Sequence, residues 1–129
     1  MAFPFIKAMK KIIKIKENYV FRRSYRRGKS LVSPYFVIYA MPNRRNVPRL
    51  GITAGKKLGG AVKRNRAKRV ITAAFRDCAP YIKPNYDFII VARTRILNIK
   101  STAAAESMLK LFREAGILKT DEKTVNRAD

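Results

Sequence analysis

The sequence predicts an α+β fold, a two-layer α/β sandwich with element order α-β-β-α-β-α. Three observations predict it. Apolar residues make up 47% of 129 residues, which suffices for one core in a chain of about one-domain size. Residues 35–41, 49–54 and 86–92 are short runs rich in aromatic and β-branched side chains, as strands require. Residues 18–28, 61–79 and 101–116 carry apolar positions at helical spacing.

Each element has its own signal. Asn18 is placed to cap a helix ending at Gly28, with Phe21 and Tyr25 four residues apart on one face and Arg22, Arg23, Arg26 and Arg27 on the rest. Tyr35–Met41 follows as a strand. Asn43, Asn46, Pro42 and Pro48 then mark a turn. Arg49–Ala54 reads as a second strand, antiparallel to the first because the connection is short. Residues 55–60 form a connector bearing glycines and lysines. The helix at 61–79 stops before Pro80 and Pro84. Tyr86–Ala92 is almost continuously apolar, the pattern of a buried central strand. Ser101 is placed to cap the last helix, which turns Ala104, Met108, Leu111, Phe112 and Ala115 to the core and ends at Gly116. Residues 1–15 read as a basic N-terminal extension, 16–118 as the domain, and 119–129 as a polar, disordered tail.

Charge is the unusual feature. Thirty Lys and Arg against eight Asp and Glu leave a net charge of +22. Residues 18–76 hold sixteen basic residues and no acid, so this half of the chain cannot neutralise itself. Its self-repulsion favours a polyanionic partner, first nucleic acid and second an anionic membrane surface. Histidine is absent and Cys78 is the single cysteine. That excludes an internal disulfide, a His/Cys metal centre and a His-dependent nucleophile. No run of about twenty apolar residues and no secretory signal pattern is present, so a cytoplasmic location and no membrane partner are expected. Gly55–Gly60 does not have the spacing of a nucleotide-binding loop, so no small-molecule substrate is expected either.

The helix at 61–79 is the most informative element. On a helical wheel, Lys63, Val70, Ile71, Ala74 and Cys78 fall within about 60° of Ala67, with Phe75 just beyond. Asn65, Arg69, Thr72 and Arg76 fall opposite, flanked by Arg66 and Lys68. Lys63, Arg64 and Arg66 lie near the helix N-terminus, where positive charge opposes the dipole and a phosphate would relieve the conflict. A solvated basic face is the alternative. Phe21, Tyr25 and Tyr39 lie in or beside arginine-rich segments, where aromatics serve either as core or as stacking platforms for unpaired bases. On its strand Tyr39 shares a face with Tyr35 and Val37, and Phe36 shares the other with Ile38.

Gly51-Ile52-Thr53-Ala54-Gly55-Lys56-Lys57-Leu58-Gly59-Gly60-Ala61-Val62-Lys63-Arg64-Asn65-Arg66-Ala67-Lys68-Arg69 resembles the signature of the bacterial ribonuclease P protein family. The order of its flanks agrees: Phe21, Tyr25 and Gly28, then Phe36 and Tyr39, then Asp87–Arg93 after the helix. The resemblance covers about residues 16–117. It implies the ribosomal protein S5 domain 2-like fold with a left-handed βαβ crossover. It also implies a protein subunit that binds a catalytic RNA and the 5′ leader of precursor tRNA, assisting removal of the leader. The chemistry would lie on the RNA, with Mg²⁺ held mainly by the RNA components, and no catalytic or metal-binding residue on the protein. Carried onto this sequence, the RNA-subunit contacts are Lys56, Lys57, Lys63, Arg64, Asn65, Arg66, Lys68, Arg69 and Arg76. The leader contacts are Phe21, Tyr25, Phe36 and Tyr39, in a cleft between the Arg-Asn-Arg helix and the sheet. Thr72 stands where some members carry Arg. A ribosomal or other structural RNA-binding protein is the alternative reading.

Overall fold

The computed structural model describes residues 12–119, so most of the predicted extension and nearly all of the predicted tail lie outside it. The described elements are β1 (Ile13–Lys14), α1 (Asn18–Arg27), β2 (Lys29–Val32), β3 (Phe36–Pro42), β4 (Arg49–Thr53), α2 (Ala61–Cys78), β5 (Tyr86–Ala92) and α3 (Ser101–Glu114). Short 3₁₀ turns lie at Lys56–Leu58, Ala79–Tyr81 and Thr94–Asn98. The α+β class and every predicted helix and strand are present, together with two further strands, β1 and β2.

The five strands run in the order β1-β4-β5-β3-β2. β4 is antiparallel in direction to β3, as its short connection demands, but the two are not paired. β5 lies between them, antiparallel to β3 and parallel to β4. The nearly unbroken apolar run of β5 decides this. A strand with Phe88, Ile89 and Ile90 all fully buried must be covered on both faces and flanked on both edges. β4, α2 and β5 therefore form a βαβ unit.

The two sheet faces carry separate apolar clusters. Phe36, Ile38, Leu50, Phe88 and Ile90 pack against Ala67, Val70, Ile71, Ala74 and Phe75 of α2 and Met108, Leu109 and Phe112 of α3. The Phe88 ring lies 5.6 Å from Phe75 and 5.1 Å from Phe112. Each such ring stabilises the fold by roughly 1.5–3 kcal/mol through burial. The opposite face holds a smaller cluster of Ile15, Val20 and Ile89, joined by Phe21 and Tyr39, and is covered by α1. Sheet and α2–α3 pair make the two main layers, and α1 lies across part of the far side.

Three local expectations are corrected. Asn18 and Ser101 begin their helices but do not cap them. The cap positions are Glu17 and Lys100, and neither makes a side-chain cap bond. Lys63 is exposed although the wheel groups it with the buried face, because the first turn of α2 projects beyond the apolar cluster. Its stem instead runs over Gly59, where φ of 120° suits glycine and an added Cβ would meet Lys63 Cδ at 2.8 Å.

Candidate nucleic-acid interface

α2 presents its cations as the pattern dictates. Residues at helical spacing from Ala67 are buried, so Asn65, Arg66, Lys68 and Arg69 are exposed, and Arg76 is partly exposed. Lys56 and Lys57, in the 3₁₀ turn before the helix, are exposed and line a hollow with Thr53, Val91 and Arg93. Arg64 differs from its neighbours. Its Nε–H donates to the Ala54 carbonyl at 3.0 Å, which ties the start of α2 to the end of β4. The α2 members of the set are thus brought together along one helix, whereas Lys56 and Lys57 lie at the end of the sheet where Thr53 and Val91 are partly open.

The aromatic residues form a separate group. Tyr25 and Tyr39 meet edge to face with centroids 5.1 Å apart, and Phe21 lies 6.4 Å from Tyr25. Phe21 rests on Gly51, where an added Cβ would sit 2.6 Å from its ring, so β4 needs glycine there. The hydroxyls of Tyr25 and Thr53 are hydrogen-bonded at 2.8 Å. Strand register extends this surface. Tyr39 pairs with Ile89, and Val37 pairs with Val91 and Val32. Beyond Tyr25 the row Thr53, Val91, Val37 and Val32 is only partly covered, and Val32 is 59% exposed. The result is an apolar floor open at one end, edged by tyrosines.

Two site expectations change with this geometry. The aromatic cleft lies between α1 and the sheet, not between α2 and the sheet, because α2 seals its own side with the main core. Phe36 does not join the aromatic group. It is fully buried in that core, on the opposite face from Tyr39, as strand alternation requires. A ring with no exposed surface offers nothing for a base to stack on.

A buried ion pair braces the closed end of the same face. Arg49 donates to Asp87 through Nε at 2.8 Å and Nη2 at 2.7 Å, and Asn43 Nδ2 donates to Asp87 Oδ1 at 2.7 Å. Burial alone pushes the Asp87 carboxyl up. The hydrogen bonds from Arg49 and Asn43 and the charges of Arg49 and Arg45 outweigh it and hold the carboxyl below its ordinary value. Arg49, from the acid-free stretch, is thereby paired by an acid from outside that stretch. Cys78 is buried in the core with its thiol pushed up to about 12 by desolvation, and it donates to the Ala105 carbonyl at 3.5 Å, so it is a packing residue. Among the described residues no three metal-ligating side chains converge, and no helix is long and apolar enough to cross a membrane.

Gly51 under Phe21, Thr53 beside Tyr25, and Lys14, which shares a hollow with Lys68 and Arg69, also line these surfaces and were not singled out from the sequence. Alternation along β4 carried the signal for Gly51 and Thr53, since both share the Arg49 face. Lys14 had none, because a two-residue strand shows no period.

Together these features define a class: a small, strongly basic α+β protein with a cationic helix and a separate aromatic cleft. The sequence pattern of the Ribonuclease P family matches residues 9–116. The ribonuclease P protein component of Geobacillus sp. is 40% identical over 117 residues, spanning 89% of this chain and 100% of the relative. That of Clostridium beijerinckii is 36% identical over 120 residues, spanning 88% and 96%. Among solved structures, the Staphylococcus aureus RNase P protein superposes with a TM-score of 0.72 at 33% identity, covering 84% of this chain and 100% of that one. The Thermotoga maritima RNase P protein gives 0.70 at 28% identity, covering 78% and 96%. The chain belongs to the bacterial ribonuclease P protein family, which furnishes the protein component of a ribonucleoprotein endoribonuclease that processes tRNA.

Proposed function

We propose that this chain binds the catalytic RNA of ribonuclease P through the exposed face of α2 and the Lys56–Lys57 turn. In the same complex it holds the 5′ leader of precursor tRNA against Phe21, Tyr25 and Tyr39. The observation that carries this reading is the separation of the two surfaces. The cations of α2 lie on its outer side, the aromatic cleft lies beyond the sheet under α1, and Lys56 and Lys57 stand at the open end of the cleft floor, so two RNA segments can be engaged at once.

Each surface suits its segment. Cations neutralise phosphates and displace counterions, which fits a large folded RNA. Tyrosine rings beside an open apolar floor take unpaired bases with little regard for sequence, as a variable leader needs. Bond cleavage is assigned to the RNA with its Mg²⁺. The protein's part is to position substrate and screen charge.

Single-turnover cleavage of a precursor tRNA by a bacterial ribonuclease P RNA at low Mg²⁺ tests the reading. Added protein is expected to stimulate cleavage at the mature 5′ end, with no cleavage by protein alone. Binding to ribosomal RNA without such stimulation would favour a structural RNA-binding role instead.

A further inference from the structure

The edge of the sheet between these two surfaces has a chemistry of its own. β1 is short but fixed: Ile13 and Lys14 pair with Arg49 and Leu50, and the Ile15 N–H donates to the Leu50 carbonyl at 2.9 Å. Ile15 is buried with Val20 and Ile89, whereas Lys14 is exposed. Lys14 and Lys68 line two adjoining hollows. One, of about 390 Å³, is walled by Lys14, Lys68, Arg69 and Arg76 over a floor of Thr72 and Ala73. The other, of about 210 Å³, runs from Lys14 and Lys68 past Lys16 to Phe21 and Gly51.

No acid lines either hollow. Cations from two elements far apart in sequence converge there, and small side chains leave the floor open. Like charges gathered around one hollow repel one another, and an anion seated among them reverses the sign of that interaction. Because the hollows share Lys14 and Lys68, they lead around the sheet edge from the outer side of α2 to the foot of the aromatic cluster.

We propose that Lys14 and Lys68 clamp an RNA phosphodiester backbone at this edge, joining the two surfaces into one track. The proposal rests on the reading of α2 as an RNA-binding face. The backbone can belong to the catalytic RNA or to the leader, and the two arms of the test separate these sources.

Lys14→Gln, Lys68→Gln, their double variant and Ala73→Leu are each assembled with a bacterial ribonuclease P RNA. The first arm measures protein affinity for that RNA against salt concentration. The second measures holoenzyme affinity for precursor and for mature tRNA. Arg66→Ala serves as the reference and Lys110→Gln, on α3, as the control. Each lysine variant is expected to weaken binding several-fold and to lower the salt slope by about one, as for one lost phosphate contact. The double variant is expected to lose less than the product of the singles, because both lysines hold one segment. Ala73→Leu keeps every charge and is expected to weaken binding by filling the hollow. Loss in the first arm assigns the backbone to the catalytic RNA, and loss confined to precursor tRNA in the second assigns it to the leader. If both lysine variants match Lys110→Gln while Arg66→Ala still weakens binding, the clamp is overturned and the α2 reading stands. Full binding by Ala73→Leu beside weakened lysine variants would overturn the clamp in favour of diffuse charge. If Arg66→Ala is also without effect, the α2 reading fails and takes the clamp with it.

Discussion

On one side of the sheet Phe88 is enclosed by Phe75, Phe112 and Tyr86, with α2 and α3 covering it completely. One residue further along the same strand, Ile89 faces the other way into the smaller cluster of Ile15, Val20 and the rings of Phe21 and Tyr39. Beyond that small cluster the floor of Val37 and Val91 remains partly open. The first side commits its apolar surface to folding. The second leaves part of it uncovered. The same division governs charge. Buried Arg49 is paired with Asp87, while the cations of α2 face outward with no acid in the hollow they surround.

That contrast sets the expected size of each perturbation. Phe88→Ala should be the most damaging, at about 3–5 kcal/mol of stability, because three rings lose their partner and the site cannot collapse. Denaturant titration reads this directly, and Tyr39→Ala in the same experiment should cost clearly less.

Removing one member of the ion pair comes next. Arg49→Ala leaves a buried carboxylate without its counter-charge and with only the Asn43 hydrogen bond, a loss of roughly 3 kcal/mol. The acid limb follows from the depressed Asp87 carboxyl. Its contribution is complete above the ordinary carboxylate value near 3.8 and is lost as pH falls through the lower folded value. Asp87→Asn should therefore lower stability at neutral pH and flatten the decline in acid. Thermal melts from pH 7 to pH 2 check both parts.

The outward cations should affect binding without affecting the fold. Arg66→Ala is expected to leave stability within about 0.5 kcal/mol and to reduce the salt slope of RNA-subunit binding by about one. The smallest effect is expected from Tyr25→Phe, which removes a single exposed hydrogen bond to Thr53 and should change stability by about 0.5 kcal/mol or less.

The sequence made the closed side far more legible than the open one. Ala67, Val70, Ile71, Ala74 and Cys78 announce their face by helical period, and Tyr86–Ala92 announces its central place by its unbroken apolar run. The period failed at Lys63 because a wheel knows angle but not how far the core extends along the helix. Strand order was not readable, since a short connection sets the direction of β4 relative to β3 but says nothing about insertion of β5. On the open side, Phe21, Tyr25 and Tyr39 were identifiable as aromatics among arginines. Their partner surface was not, because it depends on Gly51 leaving space for Phe21 and on which helix covers which face. Phe36 was grouped with them by the resemblance, although alternation along β3 already set it opposite Tyr39.

The central claim is that the aromatic cleft under α1 reads the leader while the α2 face binds the catalytic RNA. The most direct test compares holoenzymes carrying wild-type protein and Tyr39→Ala for their affinity toward precursor and mature tRNA. A loss of roughly 1–3 kcal/mol for the precursor, with mature tRNA unchanged, is the predicted result for one stacked base. Equal weakening toward both, or no change toward either, would contradict the account.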